Sequence, residues 1–497
     1  MRDRRRSILA RAAAVGLACG LAWTPPVARA TDARTPNIVI ILADDLGYSE
    51  PSIYYPDTVS PTPNLDRLAE QGIRFMDAHS PSSVCSPTRY ALLTGRYAWR
   101  TRLKHGVLST FSEPLIERDR VTLPEILKSC GYRTAAIGKW HLGLNVPELN
   151  GDGFVRPDDP EKALAKVDFS APMQDGPLDH GFDTYFGAQL RGVRRYVRDR
   201  HFVEVPEAEE EWSFQQRGPR YLAAALEFLD ECQLQDPERP FFLYFGSESP
   251  HAPYAPADSL AGVAIAGTSP AGPRADAIKE LDVTIGALVG RIDELGLARN
   301  TLVIVTSDNG PPKSAMIHRG AAPHGLRGSK GGVQEASHRV PLVARWGDGT
   351  AAGSTIAPGS ESFELVGLQD IVATVSEVVG VPLGPDSAED SQSFYGALLQ
   401  ETPERPTRTD VIVHGAHGEF GIRTADWKFV VDFDSVAVGP DATAPLPVTG
   451  QLFDLRSDPA ESVDKSGDHP DLSRSLAETL NRQRREGRSV RADRKSH

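Results

Sequence analysis

The stretch NIVIILADD, Asn37 to Asp45, decides how the rest of this 497-residue chain is read. A continuous apolar run from Asn37 to Leu42 suits a strand buried on both faces, as in a parallel sheet covered by helices. The two carboxylates at its end stand where such a strand leaves the sheet. Tyr132–Ile137, Phe241–Phe245 and Thr301–Val305 are further apolar strand candidates. Between them lie amphipathic stretches. NLDRLAEQ, opened by Thr62-Pro63 and closed by Gly72, predicts a short helix. Leu281, Ile285, Leu288, Ile292 and Leu295 repeat at helical spacing in a longer one, roughly Ala275 to Leu295, stopped by Gly296. Strands alternating with helices predict an α/β fold with a mostly parallel sheet sandwiched by helices.

Chemistry gathers where these strands end. The first runs into Asp44-Asp45 and the second into Lys139-Trp140-His141. The third leads to His251 in the proline-rich loop HAPYAP, and the fourth to Ser307-Asp308-Asn309-Gly310. Ligands of an open parallel sheet bind beyond the carboxyl ends of its strands, so these groups are expected along one edge. Taken singly, Asp-Asp is an ordinary helix cap and Asp-Asn-Gly an ordinary turn. Their recurrence at four strand ends points to a site. Asp44, Asp45, Asp308 and Asn309 form an all-oxygen set, which favours calcium over magnesium because calcium accepts irregularly placed carboxylates. Zinc would draw on His141 or His251.

The chain exceeds the size at which one core usually stops growing, and two domains are expected. Its first thirty residues have a basic start, an apolar stretch from Ala12 to Trp23 and an Ala28-Arg29-Ala30 cleavage pattern, so residues 1–30 read as an export signal. Arg5-Arg6-Ser7-Ile8-Leu9 resembles a twin-arginine signal; an arginine-rich secretory signal is the alternative, and Cys19 fits a lipid-attachment box poorly. The expected location is periplasmic or secreted. No later segment is apolar enough for stable membrane insertion. Removing the signal takes the formal net charge from −13 to about −18, which excludes non-specific nucleic-acid binding and requires a local cluster of cations for any anionic substrate.

The mature chain keeps Cys85, Cys130 and Cys232, an odd count that leaves a thiol unpaired. Cys130 and Cys232 follow helical-looking runs and read as small buried residues. Cys85 differs. In SSVCSPTRYALLTGR, Ser82 to Arg96, Pro87 marks the first turn of a helix and places Cys85 at its N-terminus. There the helix dipole is expected to lower the thiol pKa and to welcome an anion. Arg89, one turn on, is expected on the same face. Three roles fit these residues: a thiolate nucleophile, a metal-adjacent ligand, or a modified residue.

Cys85-Ser-Pro-Thr-Arg89 followed by Leu92-Leu-Thr-Gly-Arg96 resembles the signature of the formylglycine-dependent (type I) sulfatases of the alkaline-phosphatase superfamily. Gly138-Lys-Trp-His-Leu-Gly143 is similar to the second signature of that family. Asp44-Asp45, His251, Asp308-Asn309-Gly310 and Leu326-Arg-Gly-Ser-Lys330 follow in family order, and the likeness runs from Asn37 to about Glu461. The resemblance implies an alkaline-phosphatase-like fold and a maturation enzyme that oxidises Cys85 to formylglycine (3-oxoalanine). It implies Ca2+ on Asp44, Asp45, Asp308 and Asn309, and a sulfated small molecule or carbohydrate as substrate. One hydroxyl of the hydrated aldehyde would attack sulfur while Arg89, Lys139 and Lys330 hold the oxygens. His251 or Lys330 would protonate the leaving alcohol, and His141 would deprotonate the second hydroxyl so that sulfate is expelled. A phosphonate monoester or phosphodiester hydrolase with the same site is the alternative, and an unmodified anion-binding protein a third. In place of the family's usual Glu-Gly-Gly-Ile-Arg-Val-Pro run stands Glu335-Ala-Ser-His-Arg-Val-Pro341. His338 is expected in packing or at the surface; His318 and His324 are candidates for touching substrate.

Composition turns to Pro, Gly and acid at Val381–Glu389, which sets a catalytic domain at 31–384 and a C-terminal subdomain at 385–497. The latter is expected to be a smaller α+β unit on an antiparallel sheet. Its final helix, near Pro470–Arg485, would bury Leu472, Leu476 and Leu480, with a basic, frayed tail from Arg482. Specificity is assigned to loops such as 149–186 and 191–218.

Overall fold

The computed structural model describes residues 35–188, 193–203, 213–316, 325–401, 406–432 and 445–490. The expected export signal, Cys19, His318 and His324 lie outside the described residues. No described helix is long and apolar enough to cross a membrane.

Ten strands build the main sheet. They are β1 Asn37–Ala43, β2 Ile73–Phe75, β3 Arg133–Gly138, β4 Thr184–Gly187, β5 Tyr196–Arg198, β6 His201–Val203, β7 Phe241–Gly246, β8 Thr301–Ser307, β9 Leu342–Trp346 and β10 Ser360–Ser362. Their order is β10-β2-β9-β8-β1-β7-β3-β4-β5-β6. The five central strands, β8 to β4, run parallel. Antiparallel pairs flank them, β8 with β9 on one side and β4 with β5 on the other. All four strands expected from the apolar runs lie in this parallel centre, each within two residues of its expected ends.

The double burial expected of β1 is visible residue by residue. Ile38, Ile40 and Leu42 join the apolar core on one face, Val39, Ile41 and Ala43 that on the other. Helices cover both faces. Phe214–Gln235 and Pro273–Glu294 close one, the second through Ile278, Leu281, Ile285, Leu288 and Ile292. Cys85–Thr94, Leu123–Ser129 and Ile371–Val378 close the other. A Thr122–Glu125 capping box starts the Leu123 helix by satisfying backbone donors in both directions.

Near the C-terminus a separate four-stranded antiparallel sheet runs in sequence order, β11 Val411–His414, β12 Phe420–Arg423, β13 Trp427–Val431 and β14 Gly450–Asp454. Its apolar face packs with Tyr97 and Trp99 and with Leu476 and Leu480 of the Pro470–Arg485 helix. The tail was expected to fray from Arg482. The final helix spans Pro470–Arg485 as expected, but its last turn does not fray: Arg484 is buried with its guanidinium 4.9 Å from the centre of the Phe420 ring. The aromatic face shelters the charge.

Register brings the strand ends level. Leu42 and Gly138 both stand opposite Gly246, and Ala43 opposite Ser307. Asp44, Lys139, Ser247 and Asp308 therefore leave the sheet side by side. Glycine at 246 is a condition of that arrangement, because a Cβ there would lie 2.4 Å from the Lys139 carbonyl oxygen and 3.1 Å from Arg89 Nη1. Gly246→Ala is expected to cost roughly 1–3 kcal/mol in thermal unfolding through overpacking. It should also lower kcat by about 10²-fold, since displacing catalytic groups by an ångström has that effect.

Candidate active site

Asp44 and Asp45 follow β1, Asp308 and Asn309 follow β8, and all four are buried. Asp45 stands at a φ of 71° and His141, after β3, at 57°. Such left-handed backbone is costly for residues with a Cβ. The Asp45 N–H donates to Asp308 Oδ1 at 3.2 Å, and the Leu46 N–H to Ser307 Oγ at 2.9 Å, so the two loops brace each other.

Cys85 is the first residue of the Cys85–Thr94 helix and is 2% exposed. Its Sγ lies 3.4 Å from Asp44 Oδ1 and 3.4 Å from Lys330 Nζ. Arg89, one turn on, is fully buried; its Nε and Nη2 reach Asp308 Oδ2 at 3.0 and 2.8 Å, and its Nη1 donates to the Lys139 carbonyl at 2.9 Å. Lys139 Nζ pairs with Asp44 Oδ2 at 2.6 Å, and Lys330 Nζ with Asp45 Oδ1 at 2.6 Å. His251 Nε2 lies 3.8 Å from Asp45 Oδ2. Its Nδ1 meets the Ala252 carbonyl at 2.5 Å. His141 Nε2 contacts the Leu108 carbonyl at 2.9 Å, which makes Nε2 the protonated nitrogen and Nδ1 the basic one.

Charge balance in this space is uneven. Burial pushes the Asp44 carboxyl up, but Lys139, His251, Arg89 and Lys330 together hold it well below the ordinary range. Burial and then neighbouring Asp44 push Asp308 up. Burial, with Lys139 next, brings His141 down to about 3, so its imidazole is neutral at pH 7. The cysteine corrects an expectation. Burial, then Asp308, drive the Cys85 thiol upward, although it does sit at the helix N-terminus. Loss of hydration and facing carboxylates outweigh the dipole. As a thiol this group is a poor nucleophile.

Carboxylates crowded together suit a cation. Oxygens of Asp44 and Asp45, with Cys85 Sγ and a nitrogen of His251, converge within 4.8 Å. Asn309 Nδ2 is occupied, donating to Asp45 Oδ1 at 2.7 Å and to the Gly310 carbonyl at 2.8 Å, whereas Asn309 Oδ1 is buried with no hydrogen-bond partner. A buried amide oxygen beside three carboxylates fits a hard divalent cation.

The structure thus brings together all ten residues picked out at the strand ends and in the Cys85 and Lys330 motifs. Sequence reasoning missed Gly246; the available signal was a glycine ending an otherwise fully apolar strand, FFLYFG. It also missed the setting of His338, which is buried against His79, Glu335 and Lys428.

The Sulfatase family model matches residues 36–381. Arylsulfatase A of Bos taurus is 34% identical over 471 residues, covering 90% of this chain and 85% of that protein. An N-acetylgalactosamine-6-O-sulfatase of Bacteroides thetaiotaomicron is 30% identical over 498 residues, covering 90% and 93%. Among solved structures, a B. thetaiotaomicron sulfatase from work on glycosaminoglycan metabolism superposes with a TM-score of 0.74 at 28% identity, covering 91% of this chain and all of that one. A phosphonate monoester hydrolase of Agrobacterium radiobacter shares the fold, with a TM-score of 0.58, 19% identity and coverage of 91% and 96%.

Proposed function

The chain belongs to the sulfatase family, and from that premise we propose that it hydrolyses a sulfate monoester to an alcohol and inorganic sulfate with formylglycine made from Cys85 as the nucleophile. The observation that carries this reading is the setting of Cys85. Burial and then Asp308 push its thiol away from ionising, and Arg89, Lys139 and Lys330 surround it with the cations a sulfate needs. A residue so placed is better suited to be a precursor than a thiolate.

Asp44, Asp45, Asp308 and Asn309 would hold a divalent metal, Ca2+ before Mg2+. When bound, it would polarise a sulfate oxygen and stabilise charge on it. The chain's own residues account for the rest. Lys139 and Lys330, which burial pulls toward neutrality but Asp44 and Asp45 keep charged, hold the sulfate oxygens. Arg89, tied to Asp308 and to the Lys139 carbonyl, orients Lys139 and adds positive field. His251 or Lys330 gives its proton to the leaving alcohol. His141 Nδ1, unprotonated at neutral pH, takes the proton of the second hydroxyl at position 85 and so releases sulfate. Serine would lack that second hydroxyl.

Residues 31–384 carry this chemistry and 385–497 form the C-terminal subdomain. The protein acts after export, in the periplasm or outside the cell, and depends on a formylglycine-generating enzyme. Relatives named arylsulfatase A and N-acetylgalactosamine-6-O-sulfatase support a sulfated small molecule or carbohydrate as the substrate. Sulfate and phosphonate monoesters of one alcohol, assayed side by side, test the reaction class. A higher kcat/KM on sulfate is expected; a preference for the phosphonate would overturn the assignment.

A further inference from the structure

Outside the reacting groups lies a buried pair of histidines. His79 stands six residues before Cys85, and His338 ends the Glu335–His338 helix; both are essentially unexposed. Their Nδ1 atoms face each other at 3.0 Å. His79 Nε2 lies 3.0 Å from Asp77 Oδ1, and His338 Nε2 lies 2.9 Å from Lys428 Nζ.

The ends of this chain fix its direction. Lys428 sits between Glu335 at 3.3 Å and Glu461 at 2.9 Å, and an ammonium can only donate. Asp77 takes both Arg423 Nη atoms at 2.7 Å, and an ionised carboxylate can only accept. Lys428 therefore donates to His338 Nε2, His338 Nδ1–H to His79 Nδ1, and His79 Nε2–H to Asp77. Both rings are neutral and of opposite tautomer. A proton added to either puts two N–H groups nose to nose at the 3.0 Å contact, or places a donor against Lys428.

The surrounding charges are already matched. Asp77, Glu335 and Glu461 face Arg339, Arg423 and Lys428, and the Val366–Gly367 strand that pairs with Ala78–His79 brings no charge. An extra proton would be an uncompensated buried cation. In keeping with this, burial first, and then Arg423 for His79 and Lys428 for His338, hold both imidazoles below the ordinary histidine range.

What the pair joins bears on the reacting groups. The Ser80 N–H donates to the His338 carbonyl at 2.8 Å, on the approach to Cys85. The Gly310 N–H, next to Asn309, donates to the Ser337 carbonyl at 2.9 Å. Arg423 and Lys428 belong to β12 and β13 of the C-terminal sheet.

We propose that His79 and His338 are a tautomer-locked positioning pair that holds the approaches to Cys85 and Asn309 against the C-terminal sheet, and that one proton added to the neutral pair breaks this hold and inactivates the enzyme in acid. The activity part rests on the proposed sulfatase reaction; the tautomers and the stability do not. The native pair refuses a proton that the unfolded chain accepts. Its contribution is therefore complete above about pH 6.5 and declines as pH falls below that value.

The test uses the full chain with 15N-labelled histidine, read from pH 8 to 5, with His338→Asn for assignment and for unfolding against pH. The expected spectra show His338 protonated at Nδ1 and His79 at Nε2, with neither titrating near 6.5 while the protein is folded. Activity should fall at the pH where these signals change. In His338→Asn, whose amide still donates to His79, the unfolding equilibrium constant should change less steeply below pH 6.5, by up to about tenfold per pH unit. His141, His180 and His414 are also held low, and comparison with the wild type cancels their share. Identical tautomers in both rings, or a folded-state titration near 6.5, would overturn the pairing, as would an unchanged slope. If the variant does not fold, scalar coupling between the two nitrogens that share the proton identifies the pair in the wild type, and its absence counts against the proposal.

Discussion

Cys85→Ala is expected to lower kcat on a sulfate ester by about 10⁶-fold, the scale of losing a nucleophile from a cooperating set, while the protein stays folded. The side chain removed is small, and the surrounding pairs do not depend on it. Lys139 keeps Asp44 at 2.6 Å, Lys330 keeps Asp45 at 2.6 Å, and Arg89 keeps Asp308 at 2.8 Å. Substrate should bind with a KM close to that of the wild type, because the cations that hold sulfate remain. Cys85→Ser separates attack from release: one hydroxyl can attack sulfur, but nothing on the serine then expels sulfate, so turnover should stall after an initial burst. Steady-state and burst kinetics on both variants, with thermal unfolding as the control, read these outcomes. An alanine variant with full kcat would mean that the reaction does not pass through position 85.

The second large effect is expected at Asp308. Its Oδ2 accepts from Arg89 Nε and is ion-paired with Arg89 Nη2 at 2.8 Å, and neither residue is exposed. Asp308→Asn keeps the shape but leaves the guanidinium without its counter-charge, a loss of roughly 3–5 kcal/mol when one partner of a buried pair is removed. Part of that is offset, because Asp308 is itself strained toward its protonated form by burial and by Asp44. The same substitution removes a carboxylate from the proposed metal set. Chelation should therefore lower Tm and abolish activity in the wild type, with calcium restoring both by mass action. The Asn variant should show a lower Tm and little response to either treatment. A wild-type enzyme indifferent to chelator in both Tm and rate would remove the metal from the account.

Much of this was open to inspection in the chain itself, for identifiable reasons. A strand buried on both faces has to be apolar almost throughout, so NIVIIL, FFLYF and TLVIV announced the parallel centre. Groups that follow such strands share an edge because parallel register leaves no alternative, which is why the sequence alone gathers Asp44, Lys139 and Asp308. What escaped were effects of close approach. Nothing local to Cys85 says that Asp44 and Asp308 will face it, and those carboxylates, with burial, reverse the effect of the helix N-terminus on its thiol. Arg484 looked like part of a frayed basic tail because the Phe420 ring that shelters it comes from a strand more than sixty residues away. His338 stood out only as a departure from a motif. Its partners, His79 and Lys428, lie on either side of it at long sequence separation.

The most direct test of the central claim is the mass of one tryptic peptide, FMDAHSPSSVCSPTR, Phe75 to Arg89, from protein made in a host that carries formylglycine-generating activity. Conversion to the aldehyde or its hydrate at position 85 is the result predicted here. A plain cysteine in an active preparation would contradict the account, because the buried thiol would then have to do work for which its surroundings are unsuited.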